Sequence, residues 1–221
     1  EATPYAILTV HARKTKASIS HRIFPALALC DPRYLLSAGR DVLCATAVDA
    51  LGHFMESYIN ANATQFSRML CEKGLKLWSS AMDVLTWERQ AVGQDYENLM
   101  NASTLAGMAI SHTGTSLPHG LSYYLTYQDG IPHGKAVGVF LPGYLKAAGE
   151  EERDAFLSLL GLCDMAAFTD LIRRTCGNIH VSALLRQEAV NGILGNQSKL
   201  VNCPYPVSLE ILEEIFKEFF G

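Results

Sequence analysis

The sequence predicts a mainly α-helical protein, an irregular all-helical bundle preceded by a short N-terminal β fragment. From about residue 40 onward, apolar residues recur at helical spacing in one segment after another. Before that, two short apolar runs flank a polar, basic stretch, a pattern typical of a strand pair. The 221 residues are 49% hydrophobic and 18% charged, a composition that favours a globular domain with a sizeable core.

The predicted β fragment consists of two strands in the first 31 residues. Tyr5–Val10 and Pro25–Cys30 are apolar runs joined by the basic stretch HARKTKASISHR, and Asp31 followed by Pro32 closes the region. A two-stranded hairpin alone is marginally stable in water. The two strands are therefore expected to need further partners.

Helices are predicted for the rest of the chain. The first covers Asp41–Asn60, the second runs from Thr64 or Gln65 to Trp87 with Thr64 as its N-cap, and the third covers Tyr96–Ser111. The later ones are a short segment at 120–126, a buried helix at 134–141 ended by Pro142 and Gly143, a helix opened by the acidic run after Gly149, and helices at about 165–176, 182–194 and 207–219. Short helices with small buried residues favour an irregular, orthogonal bundle.

Charge and cysteine usage restrict the function class and the compartment. The net charge is −4 and the sequence pI is about 6.0, so no basic stripe points to a nucleic-acid partner. No apolar run reaches the roughly 18 residues of a membrane span. Six cysteines lie far apart without a CxxC pair, which favours reduced thiols in a cytoplasmic protein over disulfides.

Asp49 and His53 form a first candidate pair of metal ligands. They lie four residues apart in a predicted helix, so both side chains leave one face a turn apart. A buried carboxylate needs a partner, although a solvated aspartate is the simpler explanation of Asp49 alone. An Asp-x-x-x-His pair is common by chance, so the pair needs support from elsewhere in the chain.

His119 and His133 supply that support, because each is preceded by proline and followed by glycine. Proline and glycine fix unusual backbone, which would aim these two imidazoles rather than leave them to packing. Two loop histidines exposed to water are the alternative. One carboxylate and three imidazoles make a four-ligand set for a borderline divalent metal such as Fe(II) or Zn(II).

The remaining candidates are weaker. Glu56 is either an acceptor for an imidazole N–H or a solvated glutamate, and it receives no role. His112 lies seven residues before His119 and is expected to be structural or to neighbour the site. No catalytic role is expected for His11, His21 and His180, which lie in polar surroundings.

These segments resemble the metal-binding, C-terminal half of the iron-containing (group III) alcohol dehydrogenases. ATAVDALGHFMESYIN at 45–60 is similar to that family's helix with an aspartate and a histidine ligand. The stretch 118–142, with His119 and His133 fourteen residues apart, is similar to its second ligand segment. EATPYAILT at 1–9, LALCDP at 27–32 and NCPYPVSLEILEEIF at 202–216 extend the resemblance over nearly the whole chain.

The resemblance implies a function. Asp49, His53, His119 and His133 would hold a divalent metal, with Fe(II) as the first expectation and Zn(II) as the alternative. The metal would act as a Lewis acid while hydride passes between a small alcohol or aldehyde and NAD(P). A homodimer with neither nucleic-acid nor membrane partners is also expected.

Two departures from the family pattern qualify this expectation. Tyr123 stands where many members carry a further histidine that helps to move the proton, and an ordinary tyrosine, with a pKa of about 10, is a poorer acid–base group. The family's nucleotide-binding half, with its glycine-rich loop, has no counterpart in this sequence. Residues 1–36 are therefore expected to be the remnant of an α/β domain, residues 37–221 to form the helical metal- and substrate-binding domain, and this chain alone to be inactive.

Two other functions fit the same residues. A metalloenzyme similar to glycerol dehydrogenase or dehydroquinate synthase would share the two-domain plan, but a lyase of that type would need more basic, phosphate-binding residues around the metal. A non-catalytic metal-binding module would explain Tyr123 as a mark of lost chemistry. Metal content before and after ligand substitution distinguishes a metal site from a purely structural cluster.

Overall fold

The computed structural model describes residues 3–19, 21 and 23–220, and these residues confirm the mainly helical fold class. Twelve α-helices and one two-stranded sheet are found among them. The helices are α1 (Arg40–Tyr58), α2 (Gln65–Ser79), α3 (Met82–Leu85), α4 (Gly93–Thr113), α5 (Leu117–Gln128), α6 (His133–Gly138), α7 (Leu141–Lys146), α8 (Glu150–Leu160), α9 (Met165–Cys176), α10 (Ala183–Leu194), α11 (Gln197–Leu200) and α12 (Leu209–Phe220).

The sheet differs from the prediction in its second strand. β1 (Ile7–Val10) pairs antiparallel with β2 (Thr15–Ser18), and Val10 lies opposite Thr15. The predicted strand at Pro25–Cys30 is wrong, because that segment is exposed and lacks regular structure. A strand needs a neighbour for its ladder hydrogen bonds, and in the described residues none lies beside it. The division into a first domain at 1–36 and a second at 37–221 stays a prediction. Four residues of the first domain (1, 2, 20 and 22) lie outside the residues that the structure describes.

The central element is α1, which packs against α2, α4, α6 and α9. Small residues at Ala45, Ala47, Ala50 and Gly52 let neighbouring helices approach it from several sides. From Leu43 to Tyr58, all but three of its residues are buried. Trp78 on α2 is fully buried against it, and its Nε1 donates a hydrogen bond of 2.7 Å to the carbonyl oxygen of Ala47. The core therefore surrounds the helix that carries Asp49 and His53.

Local side-chain caps explain several helix starts. Thr64 caps α2, where its hydroxyl accepts from the Ser67 amide, as the sequence predicts. Asp164 caps α9 and Ser182 caps α10 in the same way. Three glutamates occupy the first turn of α8, where the helix dipole favours acidic side chains.

Two predicted helix boundaries are wrong for identifiable reasons. The helix predicted to reach Trp87 ends at Ser79 and is followed by the short α3. The hydroxyls of Ser79 and Ser80 bond back to carbonyl oxygens of the last turn, which competes with helix continuation. Pro142 was expected to end a helix, but it lies in the first turn of α7, where a missing N–H costs nothing.

Among the described residues, no single helix has the length and apolar composition needed to cross a membrane. By length and composition alone, the bent pair formed by α8 and α9 meets that requirement when the two are taken together.

Candidate metal centre

Three helices bring Asp49, His119 and His133 to one point. Asp49 lies on α1, His119 in the first turn of α5 and His133 at the start of α6. The Asp49 Oδ1 atom is 3.4 Å from His119 Nε2 and 3.6 Å from His133 Nε2. One potential ligand atom from each residue lies within 4.8 Å of the others. The structure therefore brings together three of the four residues in the predicted ligand set.

His53 lies beside this cluster. Its ring stacks on that of His119 with a centroid separation of 4.5 Å and an interplanar angle of 13°. It is one helical turn from Asp49, as the sequence spacing predicts, but it does not belong to the group of atoms within 4.8 Å. The fourth predicted ligand is thus adjacent to the cluster in this conformation.

The two Pro-His-Gly motifs position their histidines through helix starts and close packing. Pro118 lies in the first turn of α5, and Pro132 is the N-cap of α6. Neither glycine has a positive φ, so the expectation of unusual backbone is wrong. A Cβ at Gly134 would overlap the carbonyl oxygen of Ala45 on α1, and one at Gly120 would overlap the Ile193 side chain. These glycines allow neighbouring helices to approach closely.

The polar atoms at the centre of the cluster fit a bound cation. Asp49 Oδ1 and His119 Nε2, which lie 3.4 Å apart, are buried and have no hydrogen-bond partner. The Nδ1 atom of His133 is also buried without a partner, whereas the His133 nitrogen that faces Asp49 is Nε2. Each buried, unsatisfied polar group costs about 1–3 kcal/mol. A divalent ion held by carboxylate oxygen and imidazole nitrogen would satisfy such atoms, and this donor set suits Fe(II) or Zn(II).

Glu56 is the residue whose role sequence reasoning missed. Its side chain is fully buried, and its carboxylate accepts a hydrogen bond from His119 Nδ1. It also accepts from the backbone amides of Ser116 at 2.6 Å and His119 at 3.3 Å. The signal available in the sequence was its position seven residues after Asp49, which puts both on one face of α1.

Burial and mutual charge shift the pKa values in this cluster. Burial disfavours the charge of Asp49, but His53 and the other imidazoles outweigh it and hold the Asp49 pKa well below its usual range. Burial lowers the pKa values of His53 and His133 to about 4 despite the charge of Asp49. For His119 burial is outweighed by Glu56 and Asp49, which raise its pKa to about 9.

Tyr123 lies against the cluster. Its ring stacks on the His133 ring with centroids 5.9 Å apart. The Nζ atom of Lys199 lies 5.6 Å from the centroid of the Tyr123 ring. Burial, together with the charges of Glu56 and Asp49, raises the pKa of Tyr123 well above its usual value. The hydroxyl is therefore protonated near neutral pH.

The other histidines lie outside this group. His112 is exposed and packs edge-on against Phe66 with ring centroids 5.1 Å apart. His11 is exposed and shares a hydrogen bond of 3.0 Å with the hydroxyl of Tyr127. His180 lines a separate surface cavity that also contains Asp129 and Lys135. All six cysteines are free, as expected from their spacing.

Comparison with known proteins identifies the family. Residues 43–188, which include all four predicted ligands, match the model of the Fe-containing alcohol dehydrogenase family, C-terminal. The match covers more than half of the chain. The chain therefore belongs to the iron-containing alcohol dehydrogenase family.

Individual relatives agree with this assignment. The chain is 28% identical over 181 residues to a 1-propanol dehydrogenase of Citrobacter freundii, covering 77% of the chain and 47% of that protein. It is 31% identical to long-chain-alcohol dehydrogenase 1 of Geobacillus thermodenitrificans, covering 73% of the chain and 41% of that protein. An iron-containing alcohol dehydrogenase from Thermotoga maritima superposes with a TM-score of 0.87 and 31% identity, covering 99% of this chain and 60% of the other.

The coverage is unequal on the two sides of these comparisons. The chain spans less than half the length of these two curated relatives and about three fifths of the solved chain. What matches is the part of the family that corresponds to the helical, C-terminal domain.

Proposed function

We propose that this chain is the metal-holding part of an alcohol dehydrogenase that interconverts a small alcohol and an aldehyde or ketone with NAD(P). Asp49, His53, His119 and His133 would hold the metal. The observation that carries the proposal is the grouping of potential ligand atoms from Asp49, His119 and His133 within 4.8 Å of one another, in a chain that belongs to the iron-containing family. Two atoms of these residues, Asp49 Oδ1 and His119 Nε2, are buried without a hydrogen-bond partner.

The exposure of the cluster supports catalysis on a small molecule. A metal bound there would supply a Lewis acid that polarises a carbonyl oxygen or acidifies an alcohol hydroxyl. Asp49 offers an anionic oxygen and the histidines offer nitrogen lone pairs. The side chains of Asp49 and His133 remain 26% and 34% exposed, so one side of the cluster can be reached from outside. His119, with 4% exposure, closes the other side.

Tyr123 is proposed to donate rather than accept a proton. Its raised pKa keeps the Oη atom protonated, so it could donate a hydrogen bond to a developing alkoxide near His133 but could not act as a base at neutral pH. This assignment extends the expectation that Tyr123 occupies the position of the family's proton-relay histidine.

The metal, cofactor, assembly and location are further parts of the proposal. Fe(II) is the first choice from the family and Zn(II) the alternative, and the usual order of affinity favours Zn(II) when both are available. NAD(P) would serve the whole protein as hydride carrier, and a homodimer is the expected assembly. Six free thiols favour the cytoplasm.

A metal titration tests the proposed site. The chelator-stripped chain is titrated with Zn²⁺ against a chromophoric competitor, and the wild type is expected to bind one ion per chain. Loss of a residue that hydrogen-bonds to a metal ligand typically weakens metal affinity about 10–100-fold. Asp49→Asn and His133→Ala should each weaken Zn²⁺ affinity by more than that, because each changes a direct ligand.

Matched substitutions outside the cluster control for general effects. Asp170→Asn and His112→Ala change the same residue types at exposed positions, and both should bind Zn²⁺ as tightly as the wild type. Unchanged stoichiometry and affinity in Asp49→Asn and His133→Ala would contradict the site.

A further inference from the structure

Glu56 joins the two helices that carry most of the candidate ligands. It lies on α1, one turn beyond His53 and two turns beyond Asp49, while its three hydrogen-bond donors belong to the start of α5. The backbone amides of Ser116 and His119 both point at Oε1. A carboxylate at the N-terminus of a helix satisfies amides that have no partner within that helix. Glu56 thereby sets the position of the backbone that bears His119.

The third contact fixes the imidazole itself. Glu56 Oε2 accepts from His119 Nδ1, and an ionised carboxylate can only accept. In the neutral form that a metal requires, the ring proton is therefore held on Nδ1, and the lone pair of His119 is left on Nε2. That Nε2 atom lies 3.4 Å from Asp49 Oδ1 and has no hydrogen-bond partner. The tautomer selected by Glu56 thus presents its lone pair to the centre of the cluster.

We infer that Glu56 is a positioning residue of the metal site: it orients His119, fixes its proton on Nδ1 and adds negative charge behind the imidazole, so that Nε2 becomes a stronger donor to a divalent cation. This inference rests on the proposed function, because it requires that the cluster bind metal. Carboxylate partners of ligating histidines typically contribute 10–100-fold in metal affinity.

The substitution Glu56→Gln tests the inference with little change of shape. The amide oxygen can still accept from the Ser116 and His119 amides, but the NH₂ group then faces His119 Nδ1 and favours a proton on Nε2, the atom needed for the metal. We expect Zn²⁺ affinity, measured on the stripped 221-residue chain, to fall about 10–100-fold, with a circular dichroism spectrum like that of the wild type.

Glu72→Gln is the matched control, because it makes the same change at an exposed position of α2 and should leave the affinity unchanged. Equal affinity in Glu56→Gln and wild type would overturn the inference while leaving the proposed metal site intact. A wild type that binds no Zn²⁺ would instead contradict the proposed function, and the inference with it.

A measurement on the wild type decides the matter if Glu56→Gln does not fold. Long-range ¹H–¹⁵N correlation spectra of the Zn²⁺-loaded chain report which ring nitrogen of each histidine carries the proton, and a His119→Gln sample assigns the signal. We expect His119 to keep its proton on Nδ1 and to bind Zn²⁺ through Nε2. Coordination through Nδ1 would overturn the inference.

Discussion

Trp78 packs against α1 near the candidate ligands. Its ring is fully buried, and its indole N–H bonds to the carbonyl oxygen of Ala47, two residues before Asp49. Trp78→Phe removes this hydrogen bond and part of the packed ring, so we expect the free energy of unfolding to fall by about 1–3 kcal/mol. Denaturant titration followed by circular dichroism measures it.

The second tryptophan provides the control. Trp87 is 54% exposed, and Trp87→Phe should change the free energy of unfolding by no more than about 0.5 kcal/mol. If both substitutions changed the free energy of unfolding equally, the buried indole of Trp78 would not stabilise the packing of α1.

At the residue scale, sequence patterns predicted the side chains that form the cluster, but they did not predict the carboxylate that orients His119. Asp49, His119 and His133 could be selected because a carboxylate at helical spacing and two Pro-His-Gly motifs are distinctive. Glu56 shares a helix face with Asp49, but that spacing alone does not assign it a role. Because α1 is buried on nearly every side, sequence periodicity cannot separate a buried polar position from a solvated one on this helix.

At the scale of helices, close packing between α1 and α6 holds His133 near Asp49. The start of α6 lies against α1 at Gly134, where a Cβ would overlap the carbonyl oxygen of Ala45 and lie 3.1 Å from the Cβ of Asp49. Gly134→Ala should therefore force α6 and the adjacent His133 outward. We expect a loss of about 1–3 kcal/mol in the free energy of unfolding and weaker Zn²⁺ binding, both measurable on one preparation.

Gly93 gives the matched control for this contact. It lies at the start of α4, and a Cβ there would meet nothing within 4 Å. Gly93→Ala should be neutral or stabilise the chain by about 0.4–1 kcal/mol. A Gly134→Ala variant as stable as Gly93→Ala would show that α6 does not depend on close contact with α1.

The start of α4 makes the stability of the chain depend on pH. Asp95 is almost fully buried and accepts two hydrogen bonds of 2.7 Å from the Arg89 guanidinium and one of 2.8 Å from the Val92 amide. The hydrogen bonds with Arg89 outweigh burial and hold the Asp95 pKa below its usual value. A lowered folded-state pKa stabilises the fold above the unfolded pKa of about 3.9 and loses that contribution as pH falls.

Asp95→Asn measures this contribution. We expect the substitution to cost about 1–3 kcal/mol near neutral pH, and the difference between wild type and variant to shrink below about pH 4. Unfolding free energies measured from pH 7 to pH 3 supply the test. A difference that stays constant or grows as the pH falls would contradict the role of the ionised carboxylate.

Element types were more predictable than element ends. Helical periodicity located α1, α9 and α10 within one or two residues, because apolar spacing and side-chain caps act locally. Pro142 was misread because a proline that ends one helix and a proline that begins the next look alike in sequence. The segment at 25–30 was wrongly predicted as a strand, because an apolar composition does not show whether a neighbouring strand is present to pair with it.

For the whole molecule, the chain contains the candidate metal ligands but only a two-stranded sheet in the part that the structure describes. Doubly wound folds bind dinucleotides outside the carboxyl ends of the strands of a larger parallel sheet. We therefore expect the metal-loaded 221-residue chain to show no NADH oxidation with an aldehyde, measured by the loss of NADH absorbance against a protein-free blank. Turnover by this chain alone would contradict that expectation.

The position of the metal tests the central claim most directly. Crystals of the chain soaked in Zn²⁺, or grown anaerobically with Fe²⁺, are measured on both sides of the metal's absorption edge. We predict one anomalous peak per chain, within about 2.0–2.2 Å of nitrogen or oxygen atoms of Asp49, His119 and His133, with His53 as the fourth ligand. A peak bound by other residues, or full metal occupancy that persists in Asp49→Asn, would contradict the assignment of the site.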